Sequence, residues 1–232
     1  MESSVAYTHD RVAIQNTFLI RVYNWMVLGL AITAIISLIV SANQALANAI
    51  YGNSAIFFGL IIGELVLVVA LSAAINRISA STATLMFLAY SALNGLTLSF
   101  IFLAYTQVSV ATTFFITAGT FGALSIYGYT TKNDLTSWGS FLFMGLIGII
   151  LASVANIFIH NQALYWVVTY GGIIVFVGLT AYDTQKLKQM ALGDFGNEEM
   201  ERKASVIGAL RLYLDFINLF LFFLRLSGRR RS

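Results

Sequence analysis

The sequence predicts an all-α polytopic membrane protein: seven transmembrane helices with the last helix central. Three observations carry this. Of 232 residues, 59% are apolar and only 10% charged, against roughly 45–50% and 25% in soluble domains. The mean hydropathy is +0.83. Seven apolar runs occupy residues 22–41, 55–75, 83–105, 109–129, 138–159, 164–190 and 205–226, each near the ~20 residues that cross a hydrocarbon core.

Taken in order, residues 1–21 form a cytoplasmic or interfacial segment. They lack the apolar stretch and small-residue cleavage site of a signal peptide. Residues 11–23 suit a helix lying at the interface, with Trp25 near the headgroups. Residues 22–226 make up the seven-helix domain, and 227–232 a basic tail. The chain has no proline, so bends must come from glycine, hydroxyl side chains or bulges, and long unbroken helices are expected. Gly59 and Gly63 in the second run, and Gly139, Gly145 and Gly148 in the fifth, allow close helix contact. The sixth run exceeds a simple span, so Lys186 and Lys188 belong at the interface, reached by snorkelling. The seventh carries Asp215 and Asn218 and is the most polar, which argues for the central position. No internal repeat is visible, which weighs against a transporter of inverted halves.

Orientation follows from the basic residues. Arg11, Arg21, Arg77, Lys132, Lys186, Lys188, Arg202 and Lys203 flank alternate ends of the runs, while the connections at 43–53, 106–108 and 160–162 hold no Lys or Arg. This positive-inside pattern puts the N-terminus in the cytoplasm. The net charge of +3 reflects that placement and implies no nucleic-acid partner. Arg229, Arg230 and Arg231 break the pattern: a full seventh span places them outside, a re-entrant one inside. The full span is the expectation.

Two acids need an explanation, Asp183 in the sixth run and Asp215 in the seventh. A carboxylate at bilayer depth is costly, faces a bundle interior and marks an ion or proton path. With a turn around residues 193–202, helices rising at ~1.5 Å per residue bring both acids to a similar depth. Enzyme chemistries fail on the residues. Without cysteine there is no disulfide, thiolate site or thiol nucleophile. His9 and His160 both lie outside the runs, which excludes an HExxH zinc site, and no Gly-x-Ser-x-Gly is present. Tyr182-Asp183 matches half of an intramembrane aspartyl protease, but Leu212-Tyr213-Leu214-Asp215 lacks the Gly-x-Gly-Asp of the other half. No enzymatic activity is expected.

GLTAYDTQKLK followed by LYLDFINLFLFFLR, with NGLTLSFIF in the third run and TTKNDLTSWGSFLFMGLIG leading into the fifth, resembles the Bax inhibitor-1 family (the transmembrane Bax inhibitor motif proteins), in its bacterial YccA/YbhL-like branch. The resemblance implies a seven-helix fold with a central last helix, a bacterial inner-membrane location, and a proton-sensitive calcium leak gated by paired aspartates. Asp183 and Asp215 match that pair, and would also be the calcium ligands. Arg77 is the nearest match to a basic latch at the end of the second span, and Glu64 aligns with an acid of some relatives. Arg211, four residues before Asp215, departs from the small hydroxyl residue of relatives; it either pairs with Asp215 along the helix or snorkels toward the cytoplasm.

The expected mechanism is electrostatic. Two adjacent carboxylates share a proton, because a second ionisation works against the first charge. Its loss drives the helices apart or draws in a cation, along a path lined by Asn218, Glu64, Tyr182 and nearby hydroxyls. Calcium suits such oxygen ligands. Lipid, calcium and protons are thus the expected partners, with no bound cofactor. The alternative is a non-conducting regulator that binds a membrane protease or stress-response partner.

Overall fold

A computed structural model of the chain describes residues 2–193 and 195–231, with side chains from Gln15 onward; the side chain of Arg11, one of the orienting basic residues, lies outside the described residues. Among the described residues the secondary structure is helical: α1 Glu2–Ala42, α2 Gln44–Tyr51, α3 Ser54–Ala74, α4 Ala80–Leu98, α5 Phe100–Ala104, α6 Gln107–Thr130, α7 Thr136–Ile159, α8 Gln162–Met190 and α9 Glu198–Ser227. Seven stretches are long and apolar enough to cross a membrane, α4 and α5 together making one of them.

Each predicted run falls on one of these spans, with three differences of local origin. The stretch 11–23 is not a separate helix, because α1 runs unbroken from Glu2 and its first glycine is Gly29. The 43–53 connection contains α2, whose free N–H groups Ala45 and Leu46 are accepted by the Asn43 side chain at 3.0 and 3.2 Å, a standard N-cap. The charged loop is shorter than expected, since α9 begins at Glu198. Its first turn holds Glu198, Glu199 and Glu201, where negative charge suits the helix dipole.

Apolar side chains point outward as well as inward: Phe158, Leu85 and Ile174 are largely exposed. The apolar windows of α3 and α7 are only 6% buried, whereas that of α9 is 67% buried. For a water-soluble chain such exposed surface would be an aggregation liability; in lipid it is the solvated face. The protein is an integral membrane protein, and α9 is the most buried of its seven spans.

The chain forms two compact units, residues 1–106, 191–213 and 230–232 in the first, and 107–190 with 214–229 in the second. In the first unit α1 and α4 lie close. A Cβ on Gly95 would stand 2.9 Å from the Thr33 carbonyl oxygen, and Ser37 donates to the Gly95 carbonyl at 2.8 Å. Arg21 pairs with Glu201 at 3.2 Å, and Glu199 accepts the Ala80 N–H at 3.3 Å. The start of α9 is therefore tied to the starts of the first and third spans. Beyond its other end, the Arg231 N–H donates to the Ala104 carbonyl at 2.9 Å and Arg230 bridges to Tyr105. The chain between these ties runs from one end of the third span to the other, so the seventh segment is a full span and not re-entrant.

In the second unit α8 packs on α6 and α7. A Cβ on Gly128 would overlap the Ala181 carbonyl, and one on Gly139 the Tyr182 ring. Gln185 fastens the α6–α7 connection by accepting the Leu135 N–H and donating to the Asn133 carbonyl, both at 2.8 Å.

Candidate ion and proton site

In the second unit, the facing surfaces of α8 and α9 are built from small and aromatic residues. Gly172 leaves room for the Phe222 ring, which a Cβ would overlap, and the Phe176 and Phe222 ring centroids are 5.9 Å apart. One turn on, Leu179 and Leu219 belong to the same apolar cluster as Leu142 and Val175. Joined by a short connection, α8 and α9 run antiparallel, with Phe176 beside Phe222 and with Leu179 and Leu219 in one apolar cluster. Four residues further along each helix, Leu179 leads to Asp183 and Leu219 to Asp215, so the two acids lie on neighbouring stretches of α8 and α9. Both carboxylates are buried, at 9% and 4% exposure.

Counting residues from the turn does not by itself give the two acids the same depth. Asp183 is seven residues from the end of α8, and Asp215 seventeen from the start of α9, so at ~1.5 Å per residue the two helix stubs differ by about 15 Å.

The surroundings of the acids are apolar toward the Phe222 end and hydroxyl-bearing along the helices. Phe216, next to Asp215, packs edge-on against Phe114 and Phe121 of α6, each at 5.5 Å. Thr180 and Thr184 flank Asp183 and are buried. Asn218 returns its amide to the Leu214 carbonyl at 2.8 Å, so it satisfies its own helix. Tyr182 points away from Asp183, toward α7; its ring lies against Gly139 and its hydroxyl accepts from Lys186 at 3.3 Å. Consecutive helical residues diverge by about 100°, since a turn takes 3.6 of them, and Tyr182 cannot serve the same site as its neighbour.

The remaining candidates belong to the first unit. Arg211 sits one turn before Asp215 on α9 and is half-buried. Arg77 is exposed, in the turn between α3 and α4, and forms no ion pair among the described residues. Arg77→Ala is accordingly expected to change stability by no more than about 0.5 kcal/mol and to leave any pH profile of flux where it is. A flux profile displaced by that substitution would restore the latch.

Glu64 has a network that its position in the sequence does not announce. Its carboxylate accepts from the Thr97 hydroxyl at 2.6 Å and from the Asn94 amide at 3.3 Å. Asn94 also donates to the Tyr90 hydroxyl at 3.2 Å. The Tyr90 ring meets that of Tyr213 at 5.7 Å, whose hydroxyl is 2.6 Å from Thr33 Oγ1. The sequence does hold a signal: Tyr90, Asn94 and Thr97 recur at helical spacing on one face of the third span, as a polar stripe does. Satisfied in this way, an intramembrane acid is retained at tolerable cost.

Among the described residues no group of three or more His, Cys, Asp or Glu side chains converges. A calcium ion at the aspartate pair would draw on those two carboxylates and complete its six to eight oxygen ligands with carbonyls, hydroxyls or water. As the permeant ion it needs no more than a passing site.

Comparison with known proteins agrees with the architecture. A family model described as inhibitor of apoptosis-promoting Bax1, Bax1-I, matches residues 15–232. Inner membrane protein YbhL of Escherichia coli K12 is 53% identical over 216 residues, covering 93% of this chain and 92% of the relative. An uncharacterised protein of Borreliella burgdorferi is 47% identical over 223 residues, 96% of each chain. An uncharacterised membrane protein of Streptococcus pyogenes serotype M1 is 36% identical over 231 residues, 99% of each.

Proposed function

This chain belongs to the Bax inhibitor-1 family of membrane proteins, and on that premise we propose that it is a pH-sensitive cation leak, with calcium as the permeant ion, gated by a proton shared between Asp183 and Asp215. The support is one observation: both acids are buried on adjacent antiparallel helices, a few residues on from the Phe176–Phe222 contact and from the apolar cluster that holds Leu179 and Leu219. With the proton shared, one negative charge is held between the helices. As pH rises and the proton leaves, two like charges face each other in a medium of low dielectric, where their repulsion is far larger than in water. Separation of the helices or entry of a cation relieves it, and flux rises with pH.

The reading includes a bacterial inner-membrane location, the one printed in the name of the Escherichia coli relative, and a cytoplasmic N-terminus. It carries no catalytic step. A reporter fused after Ser232 is expected to read extracytoplasmic and one inserted at Asn197 cytoplasmic; the same reading from both would overturn this orientation of α9.

The deciding experiment is calcium flux from sealed liposomes containing the purified full chain, at pH values from 5 to 8 or so, where shifted carboxylates titrate. Flux rising through a single step is expected. A folded protein with no flux at any pH would sink the leak and favour a non-conducting regulator of a membrane protease.

A further inference from the structure

The outer surface of the second unit carries an apolar groove of about 170 Å³ between α6, α7 and α8, lined among others by Leu124, Tyr127, Trp138, Val177, Ala181 and Tyr182. Aliphatic and aromatic side chains make up most of its wall. Trp138 and Tyr127 are 57% and 48% exposed, so the groove opens sideways to the hydrocarbon. A hydrocarbon chain is the chemistry that fits it.

One end of the groove is charged. The Lys186 ammonium donates to the Tyr182 hydroxyl at 3.3 Å and lies 5.5 Å from the centre of that ring. Lys186 is half-buried, and no carboxylate among the described residues pairs with it. Nearby, Lys188 donates to the Tyr129 carbonyl at 2.7 Å and lies over the Tyr129 ring, so this end sits where lysines and tyrosines mark a headgroup layer. The acid in the α6–α7 connection, Asp134, forms no ion pair with Lys186 among the described residues. Hydrogen bonds from Thr136 hold its carboxyl below the ordinary range, and its Oδ1 accepts the Thr136 N–H at 2.9 Å. A half-buried ammonium with no carboxylate partner among the described residues, at the headgroup end of an apolar groove, calls for an anion that carries a hydrocarbon chain.

We propose that the groove and Lys186 together form a binding site for an anionic phospholipid, with an acyl chain along Trp138 and Tyr182 and the headgroup phosphate on the Lys186 ammonium. A zwitterionic lipid fills the groove as well, but its phosphate already carries its own ammonium and gains less from Lys186. The site is independent of the leak, because it is read by binding and uses neither aspartate.

The three tryptophans are Trp25, Trp138 and Trp166, so Trp25→Phe with Trp166→Phe leaves Trp138 as the reporter. In phosphatidylcholine vesicles, a minor fraction of brominated phosphatidylglycerol is expected to quench Trp138 about threefold more than the same fraction of brominated phosphatidylcholine, the ratio that ~0.6 kcal/mol of preference gives. Lys186→Gln should bring the two to equality, and Lys186→Arg should keep them apart. Val177→Phe, which fills the groove from its lining, should reduce quenching by both lipids. Equal quenching in the starting protein overturns the proposal, as does a preference that survives Lys186→Gln. Spin-labelled phosphatidylglycerol and phosphatidylcholine on the unsubstituted chain give a second reading that needs no tryptophan variant; equal immobilisation of the two lipids overturns the proposal.

Discussion

Asp183→Asn and Asp215→Asn are each expected to erase the pH-dependent step in flux, and the double variant to do little more than either alone. Asparagine keeps the shape of aspartate and removes the titrating charge, so one substitution is enough to end the sharing of a proton. The second then acts on an interaction already lost. In a double-mutant cycle the coupling between the two sites should therefore lie above about 0.5 kcal/mol, the tolerance within which distant sites add. The readouts are the midpoint and amplitude of calcium flux against pH, with unfolding stability measured on the same four proteins. Two acids that each satisfied a separate neighbour would give additive stability changes and a flux profile that keeps its step in both single variants. That result would remove the main warrant for a proton-gated leak, whatever the flux of the starting protein.

Gly128→Ala should produce the largest loss of stability of any single methyl group added to the second unit. The new Cβ would overlap the carbonyl oxygen of Ala181. That atom is backbone in the middle of α8, so no rotamer change can relieve the contact and α6 must move off α8. Overpacking of this kind costs typically 1–3 kcal/mol and occasionally more. Gly119→Ala is the control on the same helix, because nothing stands within 4 Å of its Cβ position. Both replace a glycine of α6 by alanine, so much of the propensity gain is common to the two and their difference reports mainly the packing. An unfolding series in mixed micelles should put Gly128→Ala below Gly119→Ala by about 2 kcal/mol, within the range for overpacking. Equal stabilities would mean that α6 and α8 are not in backbone contact at Ala181, two residues before Asp183.

What the sequence by itself determined is what depends on local composition. The number and order of spans follow from runs of apolar residues, and each predicted run sits on one helix of the structure. The expected orientation follows from Lys and Arg at alternate ends, and the two intramembrane acids were conspicuous because their neighbours are apolar. Even the full seventh span was legible, from its length and polarity. Local composition was less sufficient at helix ends. Asn43 reads as a loop residue until its side chain is seen to cap α2, and the acidic stretch from Glu198 reads as a loop although it opens α9.

Only the tertiary structure decided which faces meet. α8 is apolar around most of its circumference, so hydrophobicity alone names no inward side, and in lipid an outward apolar face is as acceptable as an inward one. Packing of glycine against ring and backbone fixes the choice: Gly172 with Phe222, Gly128 with Ala181 and Gly139 with Tyr182. Those contacts turn Tyr182 toward α7 and Lys186 while its neighbour Asp183 stays buried. They connect residues far apart in sequence, as does the link from Glu64 to Thr97 across α3 and α4. A periodicity within one helix cannot register such pairs, because shape complementarity between two helices exists only once both are in place.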